Sequence, residues 1–236
     1  MPPRHMIERD RFKSLLTPLL VGLAAVLLGL VFASLGSEVM EGDTRSFDMH
    51  VLRSAQSLRA AHPWLTTVMR DLSGLGSTTV LTLFTVAAAG YLVLVSARTA
   101  ALLVAVSVIA GSAFISLFKT GFGRQRPDAA FADLAAPGLS FPSGHASMSA
   151  IVFLTLGALM ASTRSSLPER IYILATAAVL ALLVGASRVA LGVHWATDVL
   201  GGWAFGTGWA MLWLLLARRL ARSTLEVRSG FNSPPQ

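Results

Sequence analysis

The sequence predicts an all-α protein, a polytopic membrane helix bundle with about six transmembrane helices. Of the 236 residues, 54% are hydrophobic and only 13% are charged, a balance that would keep few soluble domains of this length in solution. Long apolar runs recur along the chain, and neither a repeat nor a change in composition divides it. We therefore expect a single integral membrane domain that covers residues 1–236.

Six apolar runs are the candidate membrane spans. They cover residues 15–35, 79–95, 100–118, 146–161, 171–186 and 199–217. A spanning helix needs about 20 mainly apolar residues, so several runs must extend into polar flanks. The first run follows a basic N-terminus, as in a secretory signal, but it is too long for one. In the last run Gly202 and Gly206 lie one turn apart, which indicates close packing against another helix.

Residues 43–63, between the first and second runs, have an amphipathic pattern. Phe47, Val51, Ala55 and Leu58 recur at helical spacing, whereas the arginines of this segment fall between them. The pattern predicts a periplasmic helix that lies flat on the outer surface of the bilayer. The alternative is a helix that packs over the bundle without a role in lipid binding.

The basic residues predict the orientation. With six spans, the N-terminus (residues 1–14), Arg98 after the second run, the turn after the fourth run and the C-terminal tail (residues 218–236) lie on one side, which carries the whole formal net charge of +7. The positive-inside rule places that side in the cytoplasm, and the opposite side in the periplasm or cell exterior. Basic residues beside a bacterial inner membrane are anchors, so the positive charge does not indicate nucleic-acid binding.

Three clusters of polar residues interrupt the apolar chain, each at an outer end of a predicted span. The first, residues 119–127, contains Lys119 and Arg126 and ends at Pro127. If the helix persists to Arg126, both cations lie on one helix face, where they suit a multiply charged anion. Alternatively, they are interfacial side chains that extend towards water.

The second cluster, residues 141–146, follows a loop rich in Gly and Pro and begins the fourth span. Ser143 is placed to cap the helix, and Gly144 lets backbone N–H groups approach an anion at the positive end of the helix dipole. The loop therefore predicts a phosphate cradle. Taken alone, His145 also fits an interfacial histidine with no catalytic role.

The third cluster joins the fifth and sixth spans and contains Ser187, Arg188, His194 and Asp198. On a helix, Asp198 lies one turn after His194, so its carboxylate can hold one ring nitrogen and leave the other free to attack. This arrangement predicts a histidine nucleophile.

A metal centre is the competing interpretation. The chain contains no cysteine, which excludes thiolate nucleophiles, iron–sulfur clusters and cysteine-ligated zinc. Zinc ligation by His145, His194 and Asp198 remains, but the cations of the three clusters would repel a metal ion. We therefore predict no metal and no other cofactor.

Together the clusters resemble the motifs of the type 2 phosphatidic acid phosphatase superfamily, which also includes vanadium haloperoxidases. The matching positions are Lys119, Arg126, Pro127, Pro142, Ser143, Gly144, His145, Ser187, Arg188, His194 and Asp198. The motifs cover residues 119–198 with intact spacing, and the six-span layout extends the resemblance to most of the chain.

The resemblance implies a membrane lipid phosphatase that hydrolyses a lipid-linked phosphate or diphosphate through a phosphohistidine. It implies that His194 is the nucleophile, that Asp198 orients it and that His145 protonates the leaving group. The implied phosphate ligands are Lys119, Arg126, Ser143, Gly144 and Arg188. Ser187 is expected to be structural.

The substrate is the least determined feature of the sequence. Phosphatidate, phosphatidylglycerol phosphate and undecaprenyl diphosphate all present an anionic head at the membrane surface, and the resemblance slightly favours a polyprenyl diphosphate. The alternatives are a lipid A phosphatase, a haloperoxidase with vanadate in the cradle, and a non-catalytic membrane scaffold or transporter. An inactive descendant would be expected to lose a histidine, whereas this chain has both. No pattern indicates an oligomeric state.

Overall fold

The structure is a computed structural model that describes the backbone of residues 4–231 and the side chains of residues 16–220. All regular elements in this part of the chain are helical, which confirms the predicted all-α class. A short 3₁₀ helix, Ala129–Phe131, accompanies eight α-helices. These are α1 (Arg4–Glu41), α2 (Arg45–Ala61), α3 (Pro63–Gly74), α4 (Thr78–Leu94), α5 (Arg98–Phe122), α6 (Gly144–Ser162), α7 (Leu167–Ala190) and α8 (Ala196–Phe231). The side chains of the predicted N-terminal segment, and of the tail beyond residue 220, lie outside the described residues.

Six segments among the described residues are long and apolar enough to cross a membrane, as predicted. They are Leu16–Glu41, Pro63–Leu94, Arg98–Phe122, Gly144–Ser162, Leu167–Ala190 and Ala196–Leu220. The second is longer than predicted because it begins in α3, which the apolar pattern did not include. A turn separates α3 from α4. The Ser77 hydroxyl caps the N-terminus of α4 by accepting a hydrogen bond from the Val80 N–H at 3.3 Å.

The predicted amphipathic helix is present as α2, but a different stripe docks on the bundle. Asp48 and Leu52 are buried, whereas Phe47 and Leu58 are about half exposed, at 49% and 52%. Val51 and Ala55 of the same stripe are partly buried, so the two largest side chains of the apolar stripe found in the sequence are the ones exposed for contact with lipid. The location of α2 at the outer surface remains a prediction.

The α6 helix is the most buried of the six spans and packs against both α7 and α8. Gly202 and Gly206 of α8 provide the close approach that their spacing predicted. A Cβ at Gly202 would lie 2.9 Å from the Cβ of Ala146, and one at Gly206 would overlap the Ser147 carbonyl. The small residues thus let α8 lie directly against the start of α6, where the second polar cluster is found.

A group of phenylalanine rings supports that cluster from inside the bundle. Phe141 is completely buried, and its ring stacks on Phe32 of α1 at 5.6 Å and meets Phe122 of α5 edge-on at 4.8 Å. Aromatic contacts of this kind add about 0.5–1.5 kcal/mol each beyond burial. The loop before α6 is therefore anchored by aromatic packing as well as by backbone hydrogen bonds from Ser140 to Arg124 and from Ser143 to Asp198.

Candidate active site

The three polar clusters come together at one end of the bundle, where α5 and α7 end and α6 and α8 begin. Lys119 lies in the last turn of α5, and Arg188 lies in the last turn of α7. His145 begins α6 and lies within electrostatic range of both cations and of His194. All eight predicted catalytic and phosphate-binding residues are part of this assembly, although three of the expected local geometries are wrong.

The first correction concerns Lys119 and Arg126, which do not share a helix face. The α5 helix ends at Phe122 because Gly123 adopts a left-handed conformation, with φ of 63°, that stops the helix. Residues 123–128 continue as a non-helical loop. This loop, and not helical periodicity, brings Arg126 back towards Lys119.

The second correction concerns His194, which is not helical. The α7 helix ends at Ala190, and the turn to α8 passes through Gly192 at a φ of 73°. His194 lies in this turn, and Asp198 lies in the first turn of α8. The predicted contact nevertheless forms, with 3.1 Å between Nδ1 of His194 and Oδ2 of Asp198.

The hydrogen bonds of His194 determine which ring nitrogen is free to react. The Asp198 carboxylate can only accept, so Nδ1 carries the proton, and Nε2 has the lone pair. An Arg126 N–H donates to this lone pair at 3.0 Å. His194 is only 1% exposed, and burial lowers its pKa to about 4, although the adjacent Asp198 opposes that shift. The imidazole is therefore neutral and potentially nucleophilic at pH 7.

Asp198 is held by donors on both of its oxygens. Oδ2 accepts a close hydrogen bond from the Ser140 hydroxyl and another from the Trp195 N–H at 2.9 Å. Oδ1 accepts from Nη1 of Arg124 at 2.6 Å. These donors fix the carboxylate in the orientation that contacts His194.

Lys119, Arg126 and Arg188 are positioned by neutral acceptors. Lys119 donates to the carbonyl oxygen of Leu139 at 2.6 Å, and Arg188 donates to the hydroxyl of Ser73 at 2.5 Å. Arg126 donates to the carbonyl oxygens of Gly138 at 3.0 Å and Val193 at 2.7 Å. No ion pair among the described side chains involves any of these three cations. Burial lowers the pKa of Arg126, and the negative charge of Asp198 counteracts this. The site therefore combines three partly buried cations with no carboxylate that directly neutralises them.

Ser143 precedes α6 at the N-cap position but does not form the predicted side-chain cap. Its hydroxyl is buried, without a hydrogen-bond partner in the described structure, and the same is true of Nε of Arg188. Gly144 follows, with the Lys119 side chain 3.9 Å from the position of a Cβ. The space beside Gly144 is thus open, and unsatisfied donors beside a cluster of cations are typical of an anion site.

Sequence reasoning assigned no role to four residues that build this site. Arg124 lies within the first cluster and Ser140 directly precedes the second, so their position was the only available signal. Asp48 is a fully buried carboxylate in an otherwise amphipathic helix, and nothing in the sequence singled out Ser73. Ser187, expected to be structural, donates to the Val184 carbonyl within α7 at 2.7 Å.

Comparisons with known proteins agree with this geometry. Residues 100–222 match the family model of the PAP2 superfamily. The chain is 33% identical to phosphatidylglycerophosphatase B of Bacillus subtilis (strain 168), over 77% of this chain and 88% of that protein. It is 31% identical to a lipid A 1-phosphatase of Rhizobium johnstonii, over 56% of this chain and 57% of that protein.

A solved structure has the same fold. The crystal structure of a transmembrane PAP2 type phosphatidylglycerolphosphate phosphatase from Bacillus subtilis superimposes with a TM-score of 0.76 at 29% identity, covering 83% of this chain and 96% of that one. The resemblance predicted from the three motifs is confirmed. With its six apolar spans and its cluster of motif residues, the chain belongs to the PAP2 superfamily and is an integral membrane lipid phosphatase.

Proposed function

We propose that this protein removes the terminal phosphate from a lipid of the phosphatidylglycerol phosphate type, with His194 as the nucleophile and without a metal. One observation carries the proposal: an oriented, neutral imidazole lies among three cations that have no carboxylate partner in the described part of the chain. A phosphate monoester supplies the negative charge that these cations lack. The names of the Bacillus relatives support this lipid class.

A cavity of about 420 Å³ between α4, α5 and α6 supports a lipid substrate. Its polar end is formed by Lys119, Gly144 and His145, and its walls include Leu81 and Ile115 of the membrane spans. A phosphate at the polar end would leave the apolar remainder of the molecule along these walls, next to lipid. His145 would then lie beside the leaving group.

The first chemical step is a displacement at phosphorus. The Nε2 lone pair of His194 attacks, the P–O bond to the lipid breaks, and His145, which takes up a proton when the phosphate dianion binds, gives that proton to the leaving alkoxide. Asp198 accepts the Nδ1–H bond and stabilises the positive charge that develops on the ring. Arg126 turns its N–H from Nε2 to the phosphoryl oxygens, where Lys119 and Arg188 also donate.

The second step hydrolyses the phosphohistidine. His145, neutral after the first step, takes a proton from water as the water oxygen attacks phosphorus, and inorganic phosphate leaves His194. Both histidines thereby regain their starting protonation states. The side chains of residues 16–220 contain no group of three or more His, Cys, Asp or Glu that could hold a metal, and none of the steps requires one.

The substrate is tested by phosphate release from the purified protein in excess chelator. We expect activity on phosphatidylglycerol phosphate and phosphatidate that exceeds the activity on undecaprenyl diphosphate and lipid A, with no loss on chelation. Undecaprenyl diphosphate as the best substrate would overturn the proposed lipid class. Loss of all activity in chelator, with rescue by a divalent cation, would overturn the metal-free mechanism.

The proposed site faces the periplasm or cell exterior of a bacterial inner membrane. Ala135 and Ser165 lie in the exposed loops before and after α6, and the wild-type chain has no cysteine. An impermeant maleimide should label Ala135→Cys in cells with a permeabilised outer membrane, and should label Ser165→Cys only after the inner membrane is opened. The opposite pattern would show that the orientation is reversed.

A further inference from the structure

Arg124 lies two residues before Arg126, but its contacts are of a different kind. Its Nη1 donates to Oδ1 of Asp198 at 2.6 Å, and its Nη2 donates to Oδ2 of Asp48 at 2.5 Å. Both carboxylates are completely buried, whereas Arg126 forms no ion pair among the described side chains. The charge of Arg124 is therefore neutralised by two carboxylates of the protein, whereas the charge of Arg126 is available to an anion.

We propose that Arg124 is a positioning residue, which holds Asp198 against His194 and connects this pair to α2. The proposal rests on the roles of His194 and Asp198 given under the proposed function. Arg124 would not touch the phosphate, because both of its terminal nitrogens are bound to carboxylates.

The connection to α2 passes through Thr197 as well as Arg124. Asp48 accepts the Thr197 backbone N–H at 2.9 Å on Oδ1 and the Thr197 hydroxyl at 2.7 Å on Oδ2. The Thr197 hydroxyl also accepts from Nη1 of Arg124 at 2.8 Å. Asp48 thus binds the buried N-terminus of α8, where a carboxylate is favoured by the helix dipole. The start of α8 cannot shift relative to α2 without breaking these bonds.

A guanidinium is suited to this position for a geometric reason. Its planar fork presents separate N–H groups to two carboxylates, whereas a lysine ammonium is a point charge on a flexible stem. The guanidinium also lies over the Trp195 ring, with 5.5 Å between its central carbon and the ring centroid. Trp195 donates its backbone N–H to Asp198. Arg124 and Trp195 therefore both bond to the Asp198 carboxylate and also contact each other.

The expected consequence is a loss in kcat without a loss in phosphate binding, because Lys119, Arg126 and Arg188 do not contact Arg124 in the described hydrogen bonds. Arg124→Gln removes the charge and both ion pairs, and we expect kcat to fall about 30- to 100-fold with KM within about threefold of wild type. Arg124→Lys preserves the charge but reaches only one carboxylate, so kcat should fall about tenfold.

The experiment measures kcat and KM for phosphatidylglycerol phosphate in detergent, together with competitive inhibition by inorganic phosphate. The inhibition constant should stay within about threefold of wild type in both variants, since the cradle is unchanged. Arg70→Gln is the matched control: it removes the exposed 2.6 Å ion pair with Asp133, and neither side chain forms a described hydrogen bond or ion pair with Asp198. This control should have wild-type kcat.

The outcomes separate this inference from the proposed function. If His194→Ala is inactive while both Arg124 variants have wild-type kcat, the positioning role is wrong and the proposed function stands. If His194→Ala is active, the proposed function fails. A parallel loss of kcat, phosphate inhibition and membrane insertion in both Arg124 variants would show a folding role and overturn the inference.

Discussion

His194→Ala is expected to abolish phosphate release from every substrate, whereas His145→Ala should fail only when the leaving group is poor. A nucleophile is required in each turnover, but a general acid matters only if the departing oxygen is strongly basic. For a lipid alkoxide we expect His145→Ala to lose about 10²- to 10⁴-fold in rate. The leaving group of nitrophenyl phosphate needs little protonation, so this variant should hydrolyse nitrophenyl phosphate at a substantial fraction of the wild-type rate.

Lipid phosphate and nitrophenyl phosphate hydrolysis by the two variants provide the measurement. His50→Ala is a matched control, because His50 is exposed on α2 and away from the cavity that contains His145. Rapid quenching in alkaline detergent with a labelled aryl ester should trap acid-labile phosphate on the His145 variant if dephosphorylation is also slowed, and none on the His194 variant. Faster aryl ester turnover by His194→Ala than by His145→Ala would show that the roles are reversed.

Lysine at position 126 or 188 is expected to lower kcat/KM well over tenfold, a cost above about 1.4 kcal/mol in transition-state stabilisation. Each variant retains a positive charge but loses the planar donors that bind two phosphoryl oxygens at once. Nε of Arg188 is buried without a partner in the described structure, and Arg126 already donates at the reactive nitrogen of His194. In the proposed mechanism these donors bind phosphate, so the substitutions should leave folding intact.

Steady-state kinetics with a lipid phosphate, measured beside membrane insertion and thermal stability, will test this prediction. Arg70→Lys changes an arginine outside the site and should have wild-type activity. Insertion and stability of the Arg126 and Arg188 variants should match this control. If their activity falls only in proportion to the amount of folded protein, a structural role is the better explanation.

The six spans could be predicted because burial in lipid leaves a local signature. Each spanning helix must satisfy its backbone hydrogen bonds internally and present apolar side chains over about 20 residues. The apolar pattern of a span can therefore be recognised within that segment alone. The motif residues could be identified because their order and spacing resemble those of a known family, and because cations and histidines are rare in membrane spans. Helix ends were less predictable, and the left-handed turns at Gly123 and Gly192 replaced the helical geometry expected for Arg126 and His194.

By itself, the sequence determined the fold class, the number of spans and the identity of the eight residues that gather at one end of the bundle. Only the tertiary structure distinguished Arg124 from Arg126, because their difference depends on Asp48 and Asp198, which are 76 and 74 residues from Arg124 along the chain. It also decided that α2 docks through Leu52 and the buried carboxylate of Asp48, and leaves Phe47 and Leu58 of its apolar stripe about half exposed. The physical reason is that a charge is neutralised by whatever lies within a few ångströms, and such neighbours are set by how the helices pack, not by their order in one sequence.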